Sequence, residues 1–192
     1  MKEKLSKKDK IINAALKIIA KKGNMNFTIR EVILDANVNI ASVNYYFGTK
    51  RKLIQEIEKK FIQTLLDFQN ILTNPQSSPK QQLFEWACTL IEELINNPGI
   101  VLILSNKLIL TEQFDENIEL FIKENNQYLI SIIKKITGIE DDEQIQLKIT
   151  RFNADLFFPM LFIKNSEKIF GFSIQDAEIR NKYVKSVIDS IL

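Results

Sequence analysis

The sequence predicts an all-α protein, on three observations. Apolar residues recur at three- and four-residue spacing through most of the 192 residues, which is the period of one helix face. No segment of useful length alternates with the two-residue period of a strand. The few breakers, 5 glycines and 4 prolines, fall mainly between the periodic runs. There is no internal repeat and no low-complexity tract.

The elements follow in order. Ile12, Ala15, Leu16 and Ile19 put an apolar stripe on a helix from about Lys7 to Lys22, which Gly23 stops. Thr28, with Glu31 three residues on, makes a capping box for a second helix whose apolar face is Ile29, Val32, Ile33 and Ala36. Asn37 falls where that helix must stop, and asparagine tolerates the left-handed backbone of a tight turn. Val38 then plugs the angle, and Asn39 caps a short third helix running to about Phe47, with Val43 and Phe47 facing the core. Gly48 ends it. Thr49 caps a long helix from Lys50 toward Leu72, with Leu53, Ile57, Phe61, Leu65 and Phe68 on one side.

Residues 74–79, NPQSSP, form the clearest loop. Helix is expected again from about Lys80 to Asn96, then Pro98-Gly99 punctuates, and an apolar segment spans Ile100 to Leu110. A further helix is expected over residues 113–137, ended by Gly138. Acidic Glu140 to Glu143 then start a helix to about Ile163, a placement that the helix dipole favours, with a kink at Pro159 inside it. Gly171 is expected in a loop, and Asp176 to Leu192 as the last helix.

Residues 28–50, TIREVILDANVNIASVNYYFGTK, thus read as two short helices around a tight turn. This is the form of a helix-turn-helix, which sets its second helix in the DNA major groove. Ile40, Ala41, Ser42, Asn44 and Tyr45 would face outward, a mixture that a merely solvated helix rarely exposes. Asparagine can pair with adenine edges, serine with several acceptors, and isoleucine or alanine with a thymine methyl. The same spacing also fits an αα-hairpin that only joins core helices.

Charge is divided unevenly along the chain. Residues 1–60 carry 14 Lys and Arg against 6 Asp and Glu, a net of +8, and residues 61–192 carry 12 against 18, a net of −6. A basic N-terminal part suits phosphates, and an acidic remainder is repelled by them. Met1 to Lys10 holds five of the lysines and reads as a solubilising tail or an arm toward DNA. A tail does not account for Lys17, Lys21, Lys22, Arg30, Lys50, Arg51 and Lys52, which flank the motif.

Residues 8 to 55 resemble the DNA-binding domain of the TetR family of bacterial transcription regulators. The likeness lies in the first helix ending at Gly23, Phe27-Thr28 before the second, and Ala36-x-Val38-Asn39 at the turn. It continues through NYYFGTK with Leu53 downstream, and the ending Tyr46, Phe47, Lys50 is its most specific part. The resemblance implies that Thr28, Tyr46 and Lys50 hold backbone phosphates and that the outward face of residues 40–45 meets bases. It implies domains at 1–52 and 53–192, the second a larger helical domain for ligand binding and dimerisation. Two residues depart from the pattern: Asn37 stands where glycine is usual, and Asn44 where many members have tyrosine.

Composition excludes several chemistries for the larger part. There is no histidine, hence no Ser-His-Asp triad, no Cys-His pair and no zinc-protease motif. No glycine-rich phosphate loop appears, and no enzyme, cofactor or metal is expected. The one cysteine, Cys88, forbids an intrachain disulfide and suits a reducing cytosol. Its setting in LFEWACTLIEEL reads as a buried small side chain. No signal peptide and no apolar run of membrane length is seen, so the expected location is the cytoplasm.

Most of the 13 phenylalanines lie beyond residue 60, where they suit either a helical core or an apolar pocket. Candidate pocket residues are Phe61, Phe84, Trp86, Cys88, Phe121, Arg151, Phe152 and Asp155. Arg151 and Asp155, four apart, can instead pair with each other or meet a second subunit. The resemblance implies a homodimer on a palindromic operator, joined through the last two long helices. It further implies a repressor released by a small, largely apolar effector. The alternative is a helical DNA-binding adaptor that responds to or recruits a protein and has no small-molecule pocket.

Overall fold

The computed structural model describes residues 5–110 and 116–192. Among them are ten α-helices and one 3₁₀ turn, and no strand. By their contacts they form two compact units, residues 5–63 with 97–110 and residues 64–96 with 116–192. The start of the helix expected at 113, and residues 1–4 of the basic tail, lie outside the described residues.

The first unit contains α1 (Lys7–Lys22), α2 (Ile29–Ala36), α3 (Ile40–Tyr46), residues 50–63 of α4 (Lys50–Leu72) and α6 (Pro98–Leu110). Ser6 starts α1 by accepting from the Asp9 N–H at 3.1 Å, a cap that satisfies one of the free donors of a helix end. The apolar stripes meet in one core of Ile11, Ala15, Ile19, Val32, Val43, Phe47, Leu53 and Ile57. Each of the larger side chains contributes roughly 1.5–3 kcal/mol on burial.

Ion pairs add less. Lys8–Glu56 at 2.6 Å and Lys60–Asp9 at 2.5 Å link α1 to α4, and Lys17–Asp35 at 2.6 Å links α1 to α2. All three are substantially exposed, where a pair contributes about 0–1 kcal/mol. The Lys107–Glu58 pair at 2.8 Å between α6 and α4 is different, because Glu58 is only 6% exposed. Removing one partner there would strand a buried charge, at a cost of about 3–5 kcal/mol. At its other end α6 lies so close to α1 that only glycine fits at position 99.

The second unit contains residues 64–72 of α4, then α5 (Pro79–Asn96), α7 (Glu116–Thr137), α8 (Asp142–Phe157), α9 (Ser166–Phe170) and α10 (Ala177–Ile191). Proline opens α5 because the first helical position has no use for its N–H. Asp141 and Asp176 cap α8 and α10 through Gln144 N–H at 2.8 Å and Ile179 N–H at 3.0 Å. α10 packs on α5 and α8, and α7 packs on α5 and α8. Leu83, Trp86, Ile91, Leu129, Ile133, Ile145, Ile149, Phe152 and Ile188 fill the space between them.

Two expectations for this unit change. The helix expected to run to Ile163 with a kink ends at Phe157, and Phe158–Phe162 continue as a 3₁₀ turn with Pro159 at its start. Proline has no N–H to give the carbonyl four residues back, that of Asp155, and the Tyr183 hydroxyl on α10 takes that acceptor at 2.5 Å. The orphaned carbonyl is thus satisfied from another helix, so the chain tightens instead of bending. The loop expected around Gly171 contains α9, which that glycine ends.

Candidate nucleic-acid interface

α2 is built by its cap. The Thr28 hydroxyl accepts from Glu31 N–H at 3.2 Å, and Thr28 N–H donates to the Glu31 carboxylate at 2.8 Å. Lys22 pairs with the same carboxylate at 2.7 Å. The Lys22 ammonium first, then the Thr28 N–H, pull the Glu31 pKa down to about 2. Asn37 ends the helix in the left-handed region at φ 50°. Val38 N–H closes the turn on the Ile33 carbonyl at 3.2 Å, with the Val38 side chain half-buried.

α3 starts at Asn39, whose side-chain oxygen accepts from both Ser42 N–H and the Ser42 hydroxyl at 2.8 Å. Val43 and Phe47, 1% and 3% exposed, anchor the helix in the core. Gly48 terminates it at φ 69°, with its N–H on the Val43 carbonyl at 3.2 Å. This bond from the residue after the cap needs a left-handed residue there, which glycine supplies without steric cost.

Four of the five residues expected to face outward are exposed, and the fifth is half-buried. Ile40 and Tyr45 are 61% and 83% exposed, Ala41 and Asn44 are exposed, and Ser42 is half-buried with its hydroxyl on Asn39. Tyr46, 38% exposed, meets the Tyr45 ring edge-on at 5.1 Å. Thr28 is exposed at the start of α2, and Lys50 is half-buried at the start of α4. The Lys50 ammonium donates to the Met25 carbonyl at 2.7 Å and lies 4.3 Å from the centroid of the Phe27 ring. Exposed Arg30 in the first turn of α2 and exposed Leu34 on the same helix are further surface groups of this unit.

The pocket candidates are spread more widely. Phe61 is buried in the first unit, and the rest belong to the second. Trp86 and Phe152 are buried and stacked, with centroids 6.3 Å apart. Phe84 and Phe121 are half-buried. Cys88 is half-buried against Asn181 at 3.5 Å, and burial pushes its thiol pKa up to about 11. Arg151 and Asp155 pair with each other at 3.8 Å on a largely exposed face of α8.

Residues 11–57 match the family described as bacterial regulatory proteins, tetR family. A 58-residue stretch is 38% identical to the probable HTH-type transcriptional regulator YttP of Bacillus subtilis, and the match spans 30% of this chain and 28% of that relative's length. HlyIIR, a hemolysin II transcriptional regulator, shares the fold with a TM-score of 0.68 and 22% identity, over 96% of each chain. A TetR transcriptional regulator from Legionella pneumophila does so with a TM-score of 0.72 and 16% identity, over 100% of this chain and 97% of that one. No single helix among the described residues is long and apolar enough to cross a membrane. The local match carries the motif and the solved structures carry the all-α frame: residues 11–57 are similar to the tetR family of bacterial regulatory proteins, and the chain shares the fold of these two regulators.

Proposed function

We propose that the protein is a sequence-specific regulator of transcription that binds duplex DNA through α3. One observation supports this above the others. α3 is anchored by Val43 and Phe47, and leaves Ile40, Ala41, Asn44 and Tyr45 unpacked on its far side. Exposing isoleucine and tyrosine to water has no folding benefit, whereas a groove gives each a partner. Thr28, Tyr46 and Lys50 would hold phosphates, Lys50 with the ammonium donors that Met25 leaves over. Binding should weaken steeply with salt, since each neutralised phosphate releases counterions. A purified sample that ignores every duplex at low salt would exclude this function.

The protein would act as a homodimer and as a repressor released by a small, largely apolar effector. Support for the dimer is the exposed row of Leu147, Phe158 and Leu161 along α8 and the turn that follows. Support for the effector is the aromatic interior of the second unit, with Trp86 on Phe152 and with Phe84 and Phe121 partly open. Fluorescence anisotropy of a bound operator, titrated with apolar compounds, tests the release. A true effector should weaken binding by a coupling of about 1–3 kcal/mol, and operator should reciprocally weaken effector binding. Loss of DNA without that reciprocity would contradict the scheme.

A further inference from the structure

The loop between α1 and α2 is held by two lysines from outside it. Lys22 on α1 donates to the Asn26 carbonyl at 2.8 Å, and Lys50 on α4 donates to the Met25 carbonyl at 2.7 Å. The Lys50 ammonium also sits over the Phe27 ring, whose side chain is almost fully buried. Carbonyls in irregular backbone need partners from somewhere. Here two consecutive ones accept from cations beside the amino end of α2, the Met25 carbonyl in addition to its bond from the Phe27 N–H at 3.0 Å. The helix dipole disfavours cations at such an end. Glu31 in the first turn offsets Lys22 through their pair; Lys50 is compensated by the carbonyl and by the negative face of the ring.

We propose that Lys50 is a positioning residue of the interface: by gripping Met25 and Phe27 it sets the entry of α2, and with it Thr28, relative to the start of α4. This adds to any phosphate contact that Lys50 makes, and its functional half rests on the DNA-binding function proposed above. The consequence is a coupling between two ends of the interface. A phosphate that drew the ammonium away from Met25 would loosen the α2 cap, so a bound duplex must use the donors left over.

The test uses the full chain, first without DNA. Amide hydrogen exchange is followed at Glu31 and Val32, whose N–H groups bond to the Thr28 hydroxyl and carbonyl. Lys50→Met should speed exchange there by about tenfold or more through local opening, with α8 unchanged. Phe27→Leu, which keeps the charge, should speed it less, and Lys50→Arg should stay near wild type. Duplex affinity is then read against salt for the same variants. Phe27→Leu should lose affinity with an unchanged slope, because no phosphate contact is removed. If Lys50→Met leaves Glu31 and Val32 exchange at the wild-type rate and only lowers the salt slope by about 0.9, Lys50 is a phosphate ligand alone and the positioning role is wrong. If wild type binds no duplex while the exchange pattern holds, the loop grip stands and DNA binding is what fails. If Lys50→Met does not fold, a wild-type exchange rate in Phe27→Leu overturns the proposal.

Discussion

A β-carbon at Gly99 would stand 2.3 Å from the carbonyl oxygen of Leu16. The first turn of α6 therefore rests directly on the backbone of α1, and no side chain can move aside to make room. Gly99→Ala should force the helices apart and destabilise the first unit by about 1–3 kcal/mol, as overpacking does elsewhere. Thermal melts of variant and wild type check this. An alanine variant as stable as wild type would show that the close approach is not a feature of the folded chain.

Tyr183 and Pro159 form a second such dependency. Tyr183→Phe removes the hydroxyl that satisfies the Asp155 carbonyl, the acceptor that Pro159 leaves orphaned. A part-buried acceptor without a partner costs about 1–3 kcal/mol, measurable by denaturant unfolding. The double variant with Pro159→Ala should recover part of that cost, since alanine restores an N–H at that position. An absence of coupling between the two changes would contradict the pairing.

The close approach at Gly99 and the bond from Tyr183 also mark where the sequence stops being legible. Thr28, Glu31, Asn37, Asn39, Val43 and Phe47 take the places their spacing implies, because caps and helix periodicity are set by residues three or four apart. The outcome at Pro159 depends on a hydroxyl on another helix, and the meaning of Gly99 on the backbone of α1. Lys50 is visible in the sequence as a cation beside the motif, while its grip on a carbonyl 25 residues away is not. Such arrangements depend on how helices dock, which local pattern does not encode. Arg151 and Asp155 are a milder case, where four-residue spacing allowed the observed pair and did not reveal which face of α8 it would occupy.

Acid should weaken the cap of α2. The pKa of Glu31 is lowered from 4.5 to about 2 by Lys22 and Thr28. A carboxylate held below its unfolded value contributes stability that is fully present above the unfolded pKa, and loses it as pH falls through the folded one. The stability difference between wild type and Glu31→Gln should thus be constant from neutral pH to about 4.5 and vanish toward about 2. Paired melts across that range decide it. A difference that grows on acidification would have the wrong sign.

The two faces of the interface should separate on mutation. Asn44→Ala and Tyr45→Ala should relax preference at particular base pairs, by about 1–3 kcal/mol each where the side chain pairs with its base through two hydrogen bonds. Tyr46→Phe should weaken all duplexes alike, because phosphates carry no base information. Competition between a preferred site and random DNA distinguishes the effects. Equal weakening on both for Asn44→Ala and Tyr45→Ala would remove α3 from the role of base reader.

The most direct measurement is selection of bound duplexes from a random pool at low ionic strength, with the oligomeric state of the complex recorded alongside. The expected outcome is one enriched motif with two-fold symmetry, bound by a dimer, with half-sites about 34–36 Å apart or a multiple of that spacing. A pool that stays random after repeated rounds, with the wild-type protein folded throughout, would refute base reading by α3.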